Sequence, residues 1–215
     1  MTDNFTIEAG GKIVENFVPV IQANKQYLSD LDGQIGDGDH GINMNKGFTL
    51  FDKELDDQSG DLPQNLKLLS KILMGSIGGS MGPLYGMLFR GMAKGCAEHE
   101  LVDKTVMLAI LQAGLDGVRK VSDAQVGDKT LMDVLIPAIT SYEQAISTDD
   151  FLNSIEVMRQ AAIAGRDSTE DLIAKFGRSS RLGERSRGVL DAGSVSCCLI
   201  LESIADSVVV LLSET

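Results

Sequence analysis

Three aspartates, Asp32, Asp37 and Asp39, fall within the segment DLDGQIGDGDHGINMN (residues 30–45), interleaved with glycines and followed at once by His40, Asn43 and Asn45. Carboxylates this close repel one another unless a cation stands among them. Oxygen ligands without paired Cys or His suit Mg²⁺ or Ca²⁺ better than Zn²⁺. The spacing is not that of an EF-hand loop, which needs Gly at its sixth position and Glu at its twelfth. Counted from Asp37 those places hold Ile42 and Phe48, and counted from Asp32 the twelfth is Asn43. The competing account makes one of the aspartates, Asp39 by position, the N-cap of the next helix; it covers one residue and leaves the other two unexplained. His40 is either a hydrogen-bonded residue at a helix start or a contact to phosphate or to a metal ligand. Asn43, one turn on, shares its face of the first helical turn, where free backbone N–H groups favour an anion.

Three further segments carry residues of complementary chemistry. GGSMGP (78–83) offers bare backbone amides beside a helix start, the geometry that cradles phosphates, although it lacks the terminal Gly-Lys-Ser/Thr of a Walker A loop. Its glycines would equally let helices pack closely. VGDKT (126–130) reads as a turn with an Asp or Thr cap. GRSSRLGERSRGVLDAG (177–193) is a basic stretch in an acidic chain, with Arg178, Arg181, Arg185 and Arg187. A solvated loop would account for it; so would a guanidinium clamp on a metal-bound polyphosphate, since phosphoryl transfer uses a metal, an amide cradle and a cationic clamp.

The elements that must position these segments are helical. Apolar residues recur at spacings of three, four and seven, and the periodicity predicts helices over about 6–29, 41–56, 63–77, 84–97, 103–121, a stretch built on the Leu131 to Tyr142 face, 150–176, and a last one carrying Val195 to Leu211. No strand alternation or hairpin signal stands out. The expectation is an all-α, eight-helix antiparallel bundle formed as one domain over residues 1–215. If consecutive helices run antiparallel, the four segments above fall at one rim, and the connections near about 57–62, 98–102 and 146–149 close the other.

Composition fits that expectation. The chain has 215 residues, 43% hydrophobic, 23% charged and only 5% aromatic with no Trp, so its core rests on aliphatic side chains that favour helices. A net charge of −12 disfavours nucleic acid and anionic membranes as partners. Cys96, Cys197 and Cys198 have no metal spacing, and the adjacent Cys197 and Cys198 read as small helix residues in a reducing compartment. The N-terminus lacks a signal-peptide pattern, and no apolar stretch looks long and uncharged enough to span a bilayer, so a cytoplasmic location is expected.

GDGDHGINMNKGF, GGSMGPLYG, GDKTLMDVLIPA, GRSSRLGERSRG and DAGS, in this order, resemble the L-type nucleotide-binding domain of dihydroxyacetone kinases over essentially the whole chain. The resemblance implies an eight-helix barrel holding ADP or ATP and two Mg²⁺ ions at one rim. On its motifs, Asp32, Asp37 and Asp39 are the metal ligands; His40, Asn43, Gly79, Ser80, Met81 and Gly82 lie on the phosphate side; Gly127 and Thr130 lie near the adenine; Arg178 is the cationic contact; Asp191 and Gly193 belong to the last loop. The chain departs from the pattern at Met81, where Ser is usual, at Arg181 for an aromatic, at Val189 for His, and at Ala192 for Pro. In this family the triose is bound covalently to a histidine of a separate K-type subunit. ADP is either recharged in place by a phosphohistidine of an M-type phosphotransferase subunit or exchanged for ATP. A chain without a K domain is therefore expected to work as a kinase subunit acting on dihydroxyacetone or a similar short keto-sugar, with a homodimer possible. Two other roles fit the same motifs: a domain of a fatty-acid-kinase-like enzyme, and a nucleotide-sensing coregulator of a transcription factor.

Overall fold

The computed structural model describes residues 3–55 and 60–213. Among them the helices are α1 (Ile7–Ala23), α2 (Lys25–Ile35), α3 (His40–Glu54), α4 (Leu62–Ser76), α5 (Met81–Gly95), α6 (Lys104–Val118), α7 (Met132–Ala145), α8 (Phe151–Ser168) and α9 (Ala192–Ser213). Successive helices from α4 to α9 pack side by side, and α9 closes the ring on α1, which also touches α3 and α4. The large core inside that ring draws Val14, Phe17, Phe48, Leu66, Phe89, Leu135, Ile155 and Ile204 from nearly every wall. Where α5 meets α6, Gly91, Gly95, Gly114 and Gly117 leave room for close backbone approach, since a side chain at Gly91 or Gly117 would strike the other helix's carbonyls.

The all-α expectation holds, with four differences. The helix expected over 6–29 breaks at Asn24, whose side chain donates back to the Val20 carbonyl at 2.9 Å. The chain then resumes as α2 and runs on to Ile35. Two short strands, β1 (Asn4–Thr6) and β2 (Leu101–Asp103), pair antiparallel with Phe5 opposite Val102; three residues are too few to show a period. The helix expected over 150–176 stops at Ser168, because the buried Thr169 turns its hydroxyl to the Arg166 carbonyl and bonds Ser194 of α9, diverting the chain. Finally, α9 is long and apolar enough to cross a bilayer by length and composition, contrary to the reading of the sequence, but 67% of that apolar window is buried inside the bundle. The expected end of the second helix at 56, and residues 57–59 of the next connection, lie outside the described residues.

At the end carrying β1 and β2, each helix start is closed by its own side chain. Thr6 caps α1, Asp61 caps α4 in a reciprocal box with Gln64, Asp103 caps α6 through two N–H groups, and Asp150 caps α8. These aspartates satisfy amides that the helix itself leaves unpaired. Asp103→Ala is expected to cost about 1 kcal/mol, lowering the melting temperature by roughly 2–4 °C in a calorimetric scan while leaving the opposite rim unaltered.

Candidate functional site

At the other end the same residue type behaves differently. Leu28 and Leu31 of α2 pack with Ala192 and Val195 of α9, fixing the last turn of α2 and the Asp32 it carries. Asp32 is thus helical rather than part of a flexible loop. A Cβ at Gly36 would run into the Asp32 carboxylate and carbonyl. Gly38, with φ +77°, then turns the chain into α3. Asp39 stands at the N-cap position of α3 but makes no capping hydrogen bond, so the capping account of this aspartate fails. One carboxylate oxygen from each of Asp32, Asp37 and Asp39 lies within 4.8 Å of the others. Burial, and then repulsion from Asp37, holds Asp39 above the usual carboxylate range; Asp32 is raised by burial first, against the His40 N–H that donates to it at 3.4 Å. The triad is therefore electrostatically unsatisfied, which is the condition a divalent cation relieves.

Of the two readings of His40, the hydrogen-bonded one matches its contacts, while Asn43 does not reach the cavity. His40 is buried and its Nε2 meets Ser196 Oγ at 2.8 Å, while Ser196 meets the Tyr85 hydroxyl at 2.6 Å and Tyr85 donates to the Gly193 carbonyl at 3.0 Å. Burial lowers the His40 pKa to about 4, so the ring is neutral near pH 7 and brings no positive charge to a phosphate. Asn43 bonds Asp39 through its side chain and stays off the cavity wall.

In the glycine segment, Gly79 takes φ +72° and Ser80 occupies the N-cap position of α5 without capping it. The amides of this helix start are left open, the arrangement that receives anions. Gly82 instead packs on the Leu73 and Ile77 carbonyls and serves helix contact. At the α7 start, the Asp133 carboxylate accepts the Gly127 N–H at 2.5 Å and the Thr130 N–H at 2.7 Å. Lys129, 1% exposed with φ +61°, donates to the Thr169 carbonyl at 2.5 Å and the Val189 carbonyl at 2.6 Å. It staples this turn to the two segments that flank the basic loop. That loop forms two short 3₁₀ turns over Ser179–Ser186, parted by a kink at Gly183. From its start Arg178 Nη2 reaches Asp37 Oδ2 at 2.8 Å. Asp191 accepts the Ser194 N–H at 2.6 Å at the start of α9, and burial raises its pKa to about 7.

All four segments open onto one cavity of about 450 Å³. Asp32, Asp37, Asp39 and His40 line it from the first, Gly79, Ser80 and Met81 from the second, Thr130 from the third, and Arg178, Asp191 and Gly193 from the fourth. Gly127 lies off the wall with Asn43 and Gly82. Residues not singled out from the sequence also line it: Tyr85, Lys129, and an apolar group of Val121, Leu131 and Phe176. Lys129 had a signal in VGDKT; Tyr85 and Phe176 look like ordinary apolar positions until the fold turns them to the cavity.

A closed helical barrel whose mouth gathers acids, open helix starts and an arginine defines a class of ligand-binding α-domain. This chain belongs to the DAK2 domain family, which matches residues 34–206. It is 37% identical over 209 residues to the PTS-dependent dihydroxyacetone kinase, ADP-binding subunit DhaL of Lactococcus lactis, covering 97% of this chain and 99% of that one. It is 36% identical over 192 residues to the PEP-dependent dihydroxyacetone kinase 1, ADP-binding subunit DhaL of Listeria innocua, covering 89% and 91%. Its fold is similar to that of the C. freundii dihydroxyacetone kinase in complex with AMP-PNP and Mg²⁺, with TM-score 0.69 and 24% identity, covering 92% of this chain and about a third (33%) of that one.

Because the triad is repulsive when bare, removing one charge relieves it. Asp39→Asn is expected to raise the melting temperature of the protein stripped with EDTA by about 1–3 °C, and to remove the further rise that Mg²⁺ with ADP gives the unaltered chain; differential scanning fluorimetry reads both.

Proposed function

We propose that this chain is the nucleotide-binding subunit of a dihydroxyacetone kinase, one domain over residues 1–215, supplying the phosphoryl group to dihydroxyacetone or a similar short keto-sugar held on a K-type partner. The observation that carries the reading is the convergence of the acidic triad, the open α5 start and Arg178 on one cavity. The match of subunit relatives along nearly their whole length supports the division of labour.

The three carboxylates fit Mg²⁺, two ions in this reading, because they are close and hard and only Arg178 offsets their charge. Bound Mg²⁺ would draw off charge from the phosphate oxygens during transfer. The chain's own part is positioning. Backbone N–H groups at Gly79 to Met81 receive phosphate oxygens, Arg178 pairs with them, and the apolar wall of Val121, Leu131 and Phe176 faces the purine. The reaction breaks the bond between the γ-phosphorus and the β–γ bridging oxygen and forms one to the sugar hydroxyl, whose proton leaves to a base outside this chain. His40, neutral and tied to Ser196, holds the α3 start against α9 and takes no proton in this scheme. ADP stays on the subunit between turnovers and is recharged by an M-type phosphotransferase subunit.

The test is direct. Protein purified without added nucleotide is denatured, and the released small molecules are identified by chromatography and mass spectrometry. Near-stoichiometric ADP is expected, with its loss in Asp37→Ala. Binding of ATP only when Mg²⁺ is supplied would replace resident ADP with an exchanging nucleotide, and no nucleotide binding at all would end the kinase reading.

A further inference from the structure

Among the described residues, Arg178 is the one cation in ion-pair contact with the acidic triad, at 2.8 Å from Asp37. Its side chain is 65% exposed, so the guanidinium can swing on its own rotatable bonds. The backbone that carries it is pinned. The Arg181 N–H donates to the Arg178 carbonyl at 3.2 Å, Ser180 Oγ to the Gly177 carbonyl at 2.7 Å, and Lys175 Nζ binds Asp128 at 2.7 Å. A mobile charge on a fixed anchor thus stands at the cavity mouth, engaged with a carboxylate that the reading above assigns to metal. The Asp37 oxygen in that ion pair cannot give the same lone pair to a cation. A guanidinium, in turn, matches a phosphate's paired oxygens as well as a carboxylate's.

Building on the metal–nucleotide reading, we propose that Arg178 is a place-holder for the metal that is handed over to the phosphates on loading. In the free protein it neutralises Asp37. When nucleotide and cation arrive together, the guanidinium transfers from Asp37 to phosphate and frees the carboxylate for the cation. A cation alone must displace Arg178 with no anion to receive it, and a nucleotide alone meets bare carboxylates. The two ligands therefore load as a unit, and each strengthens the other by the same factor, as thermodynamic linkage requires. The site resists filling with stray divalent ions in the absence of nucleotide.

The exchange predicts effects of opposite sign from one substitution. Mn²⁺ is the probe, followed by the loss of the free-ion electron paramagnetic resonance signal on full-length protein freed of nucleotide; Mg·ADP binding is measured by calorimetry. Arg178→Gln is expected to bind Mn²⁺ alone about two- to fivefold more tightly than the unaltered chain, the size of an exposed ion pair. It should bind Mg·ADP at least roughly tenfold more weakly, as loss of a charge-assisted contact implies. Arg181→Gln removes the same charge three residues away, from an exposed side chain off the cavity wall, and should leave Mn²⁺ affinity within about twofold. Unchanged or weaker Mn²⁺ binding in Arg178→Gln, or equal tightening in Arg181→Gln, overturns the exchange while the nucleotide site stands. Failure of the unaltered chain to bind Mg·ADP overturns the reading beneath it.

Discussion

Repulsion among Asp32, Asp37 and Asp39 is the constraint on which the rest of the rim depends. Three carboxylate oxygens within 4.8 Å would drift apart on a loose loop. They stay together because the segment is not loose. Asp32 rides on the last turn of a helix packed against α9, Gly36 admits the Asp32 carboxylate where any side chain would collide, and Asp39 enters α3 directly. The core inside the ring of helices supplies the stability that holds this unfavourable arrangement in place. Stability and ligand binding thus pull in opposite directions at the same residues, a conflict typical of sites prepared for a cation that the folded chain does not itself provide.

The two ends of the barrel put that conflict in relief. At the strand-bearing end, Asp61, Asp103 and Asp150 sit one residue before a helix and satisfy its amides. At the rim, Asp39 and Ser80 occupy the equivalent positions and satisfy none. At α3 the Asp32 carboxylate takes the His40 N–H instead, whereas at α5 the amides of the helix start are free for an anion, as the proposed reading requires. Negative carboxylates and open amides on a single wall would be contradictory for a lone ligand. They are complementary for a cation and a polyphosphate bound together.

Much of this was legible in the sequence, and the parts that were not share a physical reason. Helical periodicity located the helices, and antiparallel packing alone placed the four polar segments at one rim, where the cavity lies. The break at Asn24 was invisible because Val18, Ile21 and Leu28 keep helical spacing across it; only the side-chain bond to the Val20 carbonyl marks it. His40 borders the cavity yet spends its ring nitrogen on Ser196, and Asn43 turns away from it. The direction of a side chain at a helix start depends on what packs behind it, here Ser196 and Tyr85 from two distant helices. Lys129 was passed over because charged residues are rarely buried, and its partners, two backbone carbonyls far along the chain, leave no trace in local sequence.

The same long-range contacts show what surrounds three of the positions where the chain departs from the pattern it resembles. Val189 accepts Lys129 through its carbonyl while its side chain packs on the cluster that fixes α2. Met81 belongs to both the main core and the cavity wall, with Ser80 beside it on that wall. Ala192 opens α9 within the small cluster that fixes α2, a place where Asp191 already caps the helix and proline's preset φ is dispensable. The triad and Arg178 carry charge that no backbone atom can replace.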